Sequence, residues 1–204
     1  MNSELTKKER REMRRQEKRS VQVSGARAKT IKKSVISIVV AAIIAVGGYA
    51  GYVYISKTLD IPETGQAYPI EGAAHVADGA KVEYRTNPPS SGNHYGVPAN
   101  WGVYDHEIPD EAAVHNLEHG GIWISYKPSM PSDEIKKIVD LVKNYSSKII
   151  LTPRAKNDLP IALVSWGRIH KLDSFNEDVI KNFISKYKNT GPETVSDNMT
   201  GKQY

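Results

Sequence analysis

The pattern of hydrophobic and polar positions divides the chain into a charged beginning, one long apolar run and a mixed remainder. The apolar run, residues 35–55, has 21 residues and no charge. At 1.5 Å per residue a helix of this length spans roughly 30 Å, the thickness of a bilayer's hydrocarbon core. A cleaved signal peptide has a shorter apolar core of about 7–15 residues and a small-residue cleavage site. The run therefore predicts one transmembrane helix that remains attached to the protein.

Basic residues are concentrated in front of this run. Residues 1–33 carry twelve Lys or Arg and four Asp or Glu, a net charge of +8, so the rest of the chain carries −3 of the total +5. An excess of Lys and Arg beside a membrane helix marks the cytoplasmic side. We therefore expect a single-pass protein of the cell membrane, with a cytoplasmic N-terminus and an extracytoplasmic C-terminal domain. The basic tail suits contact with anionic lipids, and nucleic acid is not an expected partner because the folded part is mildly acidic.

The remaining segments follow from composition and periodicity. The chain after residue 55 is long enough to bury its own core, and the absence of cysteine excludes disulfides, thiolate metal sites and cysteine nucleophiles. Residues 191–204 are polar and are expected to be frayed. The predicted organisation is a basic tail, a transmembrane helix, a juxtamembrane linker, an extracytoplasmic domain and a polar tail, at residues 1–34, 35–55, 56–80, 81–190 and 191–204.

Within the domain, a loop rich in proline and glycine at residues 87–109 precedes alternating helical and strand patterns. This order favours an α+β fold, a small mixed or antiparallel sheet with packed helices, preceded by the transmembrane helix. The predicted helices lie at 112–119 with Asp110 as the cap, 132–144 and 174–187, and the predicted strands at 81–86, 122–126, 148–152 and 161–170.

The sequence VHNLEHGG, residues 114–121, carries the strongest chemical signal. His115 and His119 are four positions apart and therefore lie on one face of a helix, with their Cβ atoms about 5–6 Å apart. Glu118 lies near the same face. Two imidazoles and a carboxylate from one helical turn, joined by a histidine from a loop, suit a divalent transition metal such as zinc or copper.

The loop before this helix supplies the further ligands. His94 follows a double proline and Gly92, which restrict the backbone, and His106 lies just before the helix. We predict a metal site formed by His94, His115 and His119, with Glu118 or His106 completing the coordination. His75 and His170 are weaker candidates. Copper is favoured if Met130 also reaches the site.

Two alternative interpretations remain open. In the first, the protein is a non-catalytic envelope module whose histidines are structural and whose surface binds a protein partner of unknown identity. Alternatively, HNLEH matches the His-x-x-Glu-His order of inverted zinc peptidases, in which the glutamate activates a zinc-bound water. A metal-dependent hydrolase is less favoured, because those enzymes are much larger than this domain. No Gly-x-Ser-x-Gly motif supports a serine hydrolase at Ser91.

The segments NPPSSGNHYG, WGVYD and VHNLEHGGIWISYKP together resemble an uncharacterised bacterial family, domain of unknown function 3105. The resemblance is strong over residues 87–128 and looser over 81–170, and it implies a small domain that often follows one membrane helix. It names no activity. Ser90 and Asn93 stand where the family pattern has threonine and proline. The matching positions are Pro88, Pro89, Ser91, Gly92, His94, Tyr104, His115, Leu117, Glu118, His119 and Gly120.

Overall fold

A computed structural model describes residues 12–15, 39–54, 63–193, 195–197 and 199–204. The chain forms two compact units, Met1–Leu59 and Asp60–Tyr204. In the first unit, residues 39–54 form helix α1, whose apolar side chains are mostly exposed.

Among the residues just named, no helix is both long enough and apolar enough to cross a membrane. The predicted transmembrane segment, 35–55, extends beyond α1 into residues 35–38 and 55, which lie outside the described part. Most of the predicted basic tail, residues 1–34, also lies outside it.

The second unit is built on a six-stranded mixed sheet in the order β1-β8-β7-β5-β6-β4. Strands β1, β8, β7 and β5 pair antiparallel, whereas β5, β6 and β4 pair parallel. The parallel strands β2 and β3 form a separate pair. The strands are β1 Gln66–Ala67, β2 His75–Val76, β3 His94–Tyr95, β4 Gly102–Val103, β5 Ile122–Tyr126, β6 Ile149–Pro153, β7 Ile161–Ser165 and β8 Arg168–Leu172.

Both faces of this sheet are buried. The alternation of side chains along β5 sends Ile122 and Ile124 into one core and Trp123 into the other. The first core contains side chains of α3 (Ser132–Val142) and α4 (Glu177–Tyr187), and the second contains side chains of α2 (Asp110–Glu118). The sheet thus separates α3 and α4 from α2. The predicted α+β fold with a mixed sheet and packed helices is confirmed.

The strand predicted at 161–170 is instead a hairpin of β7 and β8. The turn passes through Trp166 and Gly167, and Gly167 has φ of +68°, a conformation that glycine adopts without the steric cost of a Cβ. Apolar residues continue on both sides of the turn, so hydrophobic periodicity alone does not reveal where β7 ends and β8 begins. Residues 81–86 were predicted to be a strand, but they pair with no strand in the described part of the chain. The predicted cap Asp110 is the first residue of α2, which follows Pro109 and has no side-chain cap.

Both segments that flank the predicted domain belong to the folded unit. In the described part of the predicted linker, β1 extends the main sheet and β2 pairs with β3. At the other end, the backbone N–H of Glu193 donates to the Glu118 carbonyl, and that of Lys202 donates to the Pro98 carbonyl. The expectation of a frayed tail is therefore wrong. Its hydrogen-bonding partners lie about 70 to 100 positions away, so local composition does not reveal them.

Candidate metal centre

The site lies where α2 meets the short β2–β3 pair. His115 and Glu118 are on α2, whereas His75 and His94 are directly paired across the two parallel strands. The His94 and His115 ring centroids are 4.8 Å apart, and the His75 ring stacks on that of His115 at 4.9 Å. We call His75, His94, His115 and Glu118 the inner cluster.

The spacing of the inner cluster suits a metal ion. One ligand atom from each residue lies within 4.8 Å of the others. Glu118 Oε2 is 3.0 Å from His94 Nε2 and 3.8 Å from His75 Nε2. Tetrahedral zinc with bonds of about 2.0–2.1 Å separates its ligand atoms by about 3.3–3.4 Å. Small side-chain movements therefore bring these atoms to coordination distance.

Hydrogen bonds to the backbone orient two of the imidazoles. Nδ1 of His94 donates to the Gly92 carbonyl at 2.8 Å, and Nδ1 of His115 donates to the Tyr95 carbonyl at 2.6 Å. A carbonyl accepts only from a protonated nitrogen, so the proton is on Nδ1 and Nε2 presents a lone pair in the neutral ring. Histidines that bind metals almost always donate their other ring N–H in this way.

The contact between His94 and Glu118 follows from this tautomer. His94 Nε2, with its lone pair, lies 3.0 Å from the Glu118 carboxylate oxygen, which is also an acceptor. Two acceptors at this distance repel each other unless a proton or a metal ion lies between them.

Most of the inner cluster is buried, and burial keeps His115 in the neutral form that binds a metal. His94 is fully buried, and His115 and Glu118 are 3% and 4% exposed. Burial, assisted by the neighbouring imidazoles, lowers the pKa of His115 to about 4. His115 is therefore neutral at physiological pH, and the neutral imidazole is the form that binds a metal. The side chain of His75, in contrast, is 53% exposed and connects the cluster to solvent.

The loop that carries His94 is held by the segment before it. The Gly92 N–H donates to the Gly72 carbonyl, and the His94 N–H donates to the Ala74 carbonyl, both at 3.1 Å. Gly92 has φ of +123°, and a Cβ there would lie 2.9 Å from the Tyr84 ring. The conformation and the space at this position both require glycine. His94 thus occupies a backbone position that distant residues determine.

A second group adjoins the inner cluster. His119 Nε2 is 3.1 Å from His115 Nε2 and 3.1 Å from Glu193 Oε2. Glu118, His119 and Glu193 offer ligand atoms within 4.8 Å of one another, and we call them the outer group. Burial lowers the pKa of His119, and its buried Nδ1 has no hydrogen-bond partner within the described part of the chain. Sequence reasoning missed Glu193, because it lies 74 positions away in a segment without local structure.

The structure does not bring His106 into either group. Its Nδ1 lies 2.6 Å from Asp105 Oδ1, and its Nε2 donates to the Tyr204 carbonyl at 2.7 Å. The hydrogen bond with Asp105 raises its pKa. His170 lies beside Phe183, and Met130 packs in the core of α3 and α4. His75, a weaker candidate from sequence, takes the place expected for His106, because β2 pairs with β3.

Comparisons with known proteins give a family and no closer relative. No curated protein and no solved structure matches the chain. Residues 75–199 match the family described as "Protein of unknown function (DUF3105)". The match spans more than half of the chain and contains every member of the inner cluster and the outer group. The chain belongs to the DUF3105 family.

Proposed function

We propose that this protein is a membrane-anchored extracytoplasmic domain that binds a divalent transition metal ion through His75, His94, His115 and Glu118. The contact between His94 and Glu118 carries the proposal. Its two acceptor atoms face each other at 3.0 Å inside the protein, and His94 Nδ1 is already engaged by the Gly92 carbonyl. A cation bound between them stabilises the arrangement.

The donor set favours zinc or copper(II). Three imidazole nitrogens and one carboxylate oxygen suit both ions, and imidazole is a common ligand for each. The chain has no cysteine, and Met130 lies in the core of α3 and α4. Thioether coordination, which favours copper(I), therefore has no support from Met130. The exposed ring of His75 offers the ion a way in from solvent.

The membrane anchor rests on the apolar run and the basic tail. Within α1, Ile43, Ile44 and Val46 are 66%, 68% and 69% exposed. Exposure of large apolar side chains to water is unfavourable. A lipid bilayer removes the whole surface of a helix from water. The tyrosines at 49, 52 and 54 suit the membrane–water interface, and the basic tail favours an extracytoplasmic position for the domain.

Metal loading of the purified full-length chain in mild detergent tests the proposed function. We expect one tightly bound zinc or copper ion per chain by elemental analysis after dialysis. The double variant His94→Ala with His115→Ala removes two anchored ligands and loses this ion. His170→Ala removes a histidine outside the cluster and retains it.

The competing interpretation is a non-catalytic interaction module with structural histidines. Its support is that the His115 Nδ1 hydrogen bond to the Tyr95 carbonyl connects α2 to β3 without any ion, and that of His94 holds its own loop. This interpretation predicts that a chelator leaves the melting temperature of the full-length protein unchanged. Metal binding predicts a lower melting temperature after chelation, since a ligand stabilises the folded state that binds it.

A further inference from the structure

The outer group is built by the C-terminal segment. The backbone N–H of Glu193 donates to the Glu118 carbonyl at 3.1 Å, which fixes Glu193 beside the last turn of α2. Lys148 is buried and donates to the carbonyls of His119 and Val195 at 2.7 and 3.1 Å. The segment is therefore attached on both sides of Glu193, and the carboxylate reaches His119 from a fixed backbone.

The carboxylates of the outer group pair with histidines. Within the described part of the chain, the ion pairs of Glu118 and Glu193 are formed with histidines and with no Lys or Arg. The Lys148 ammonium is directed to backbone carbonyls instead. Two carboxylates held close together around an imidazole raise each other's energy unless a cation lies between them.

His119 supplies an independent observation. Its side chain is only 8% exposed, and its buried Nδ1 has no hydrogen-bond partner among the described residues, whereas Nε2 points toward Glu193. An unsatisfied buried nitrogen is unfavourable, and the hydrogen-bonding contacts of this ring are confined to Nε2. A cation bound by Nε2 accounts for the position of this atom between His115 Nε2 and the Glu193 carboxylate.

We propose that Glu118, His119 and Glu193 form a second position for a divalent metal ion, next to the inner one and sharing Glu118 as a bridging carboxylate. The inference rests on the proposed function, because Glu118 serves both positions. Ions bridged in this way lie about 3.5–4 Å apart. The separation of 3.1 Å between the Nε2 atoms of His115 and His119, one from each position, is compatible with such a pair.

The two positions differ in strength. The inner histidines His94 and His115 are anchored through Nδ1, whereas no residue that the structure describes anchors His119 in this way. Loss of an anchoring partner typically weakens metal binding by about 10–100-fold. The Glu193 side chain is 54% exposed, so the outer ion also exchanges with solvent. The outer position therefore binds more weakly and, with two carboxylates, prefers zinc, cobalt or manganese(II) to copper(I).

Titration of the metal-free full-length chain with Co²⁺ separates the two positions by affinity and by absorption spectrum. We expect two equivalents, a tight one and a weaker one. Glu193→Gln keeps the size of the side chain and removes its charge, so it weakens the second equivalent at least tenfold and leaves the first unchanged. Asp197→Asn changes an exposed carboxylate in the same segment and retains both equivalents.

A single equivalent in the wild-type protein, or a weaker equivalent unaffected by Glu193→Gln, overturns the second position. In both cases the tight equivalent remains, and the proposed function stands. A chain that binds no Co²⁺, Zn²⁺ or Cu²⁺ overturns the proposed function together with this inference. Circular dichroism of Glu193→Gln and Asp197→Asn confirms that each variant is folded before it is titrated.

Discussion

His94 Nε2 and Glu118 Oε2 lie 3.0 Å apart, although 24 positions separate the two residues. His94 is on β3, at the end of an irregular loop, and Glu118 is the last residue of α2. Their contact joins the two segments that carry the family motif. It places an imidazole nitrogen beside a carboxylate inside the domain, within a cluster whose spacing suits a metal ion.

Glu118→Gln tests the shared role of this carboxylate. The amide has nearly the same shape but no charge, so we expect it to weaken both metal equivalents at least tenfold. Glu193→Gln is expected to weaken only one of them. Glu83 is exposed and lies outside both groups, so Glu83→Gln serves as the control. Unchanged affinity in Glu118→Gln would contradict a role for Glu118 as a ligand.

The stability of the metal-free protein is expected to depend on pH through His115. Its pKa is about 4 in the folded state, against 6.5 for an ordinary histidine. Above pH 6.5 both states hold His115 neutral, and below it the unfolded state gains a proton that the folded state resists. The free energy of unfolding therefore falls by up to about 3 kcal/mol between pH 6.5 and 4.

Urea denaturation in the presence of a chelator measures this contribution, with His115→Gln as the reference because other groups also titrate. The wild-type curve should fall more steeply than that of the variant between pH 6.5 and 4. Parallel curves would show that His115 does not titrate with a lowered pKa.

Lys148→Met tests how the C-terminal segment is attached. Lys148 is 1% exposed, and its ammonium bonds the carbonyls of His119 and Val195. Methionine fills similar space but leaves both carbonyls without this donor, which costs roughly 1–3 kcal/mol. We expect lower stability and faster proteolysis after residue 188. Lys143→Met, at an exposed lysine, should show neither effect.

Gly120→Ala tests the close approach of the C-terminal segment to the end of α2. Gly120 has φ of +74°, and a Cβ there would lie 2.8 Å from the Asn189 Cα. Gly79 has φ of +86° with no atom within 4 Å of a built Cβ. Gly79→Ala should therefore cost only the left-handed conformation, about 1–2 kcal/mol, and Gly120→Ala should cost more. Equal shifts in melting temperature would contradict the close packing.

Ile44→Arg tests the membrane anchor. An arginine at the centre of a membrane helix costs about 2.5–3.5 kcal/mol for insertion, so the variant should appear partly in the soluble fraction of cells. Ile44→Leu should stay with the membrane. Protease added to intact spheroplasts is expected to remove the C-terminal domain of the wild-type protein and to spare the basic tail. A wild-type protein found in the soluble fraction would exclude the anchor.

Local periodicity predicted the elements with strong patterns. Strand β5 has the predicted bounds, and the predicted helices at 132–144 and 174–187 correspond to α3 and α4, because each shows apolar positions at helical spacing. Where the apolar run continues through a turn, as at Gly167, periodicity merged two strands into one. Where pairing depends on a distant partner, as for β1 and β2, composition indicated only a linker.

The sequence by itself determined which residues offer metal-binding chemistry on α2, because a spacing of three and four positions places His115, Glu118 and His119 on adjacent parts of one helix. Only the tertiary structure decided which distant residues join them. The pairing of β2 with β3 brings His75 to the inner cluster, and the packing of the C-terminal segment brings Glu193 to His119. Such contacts depend on backbone hydrogen bonds between segments far apart in the chain, and no local pattern encodes them.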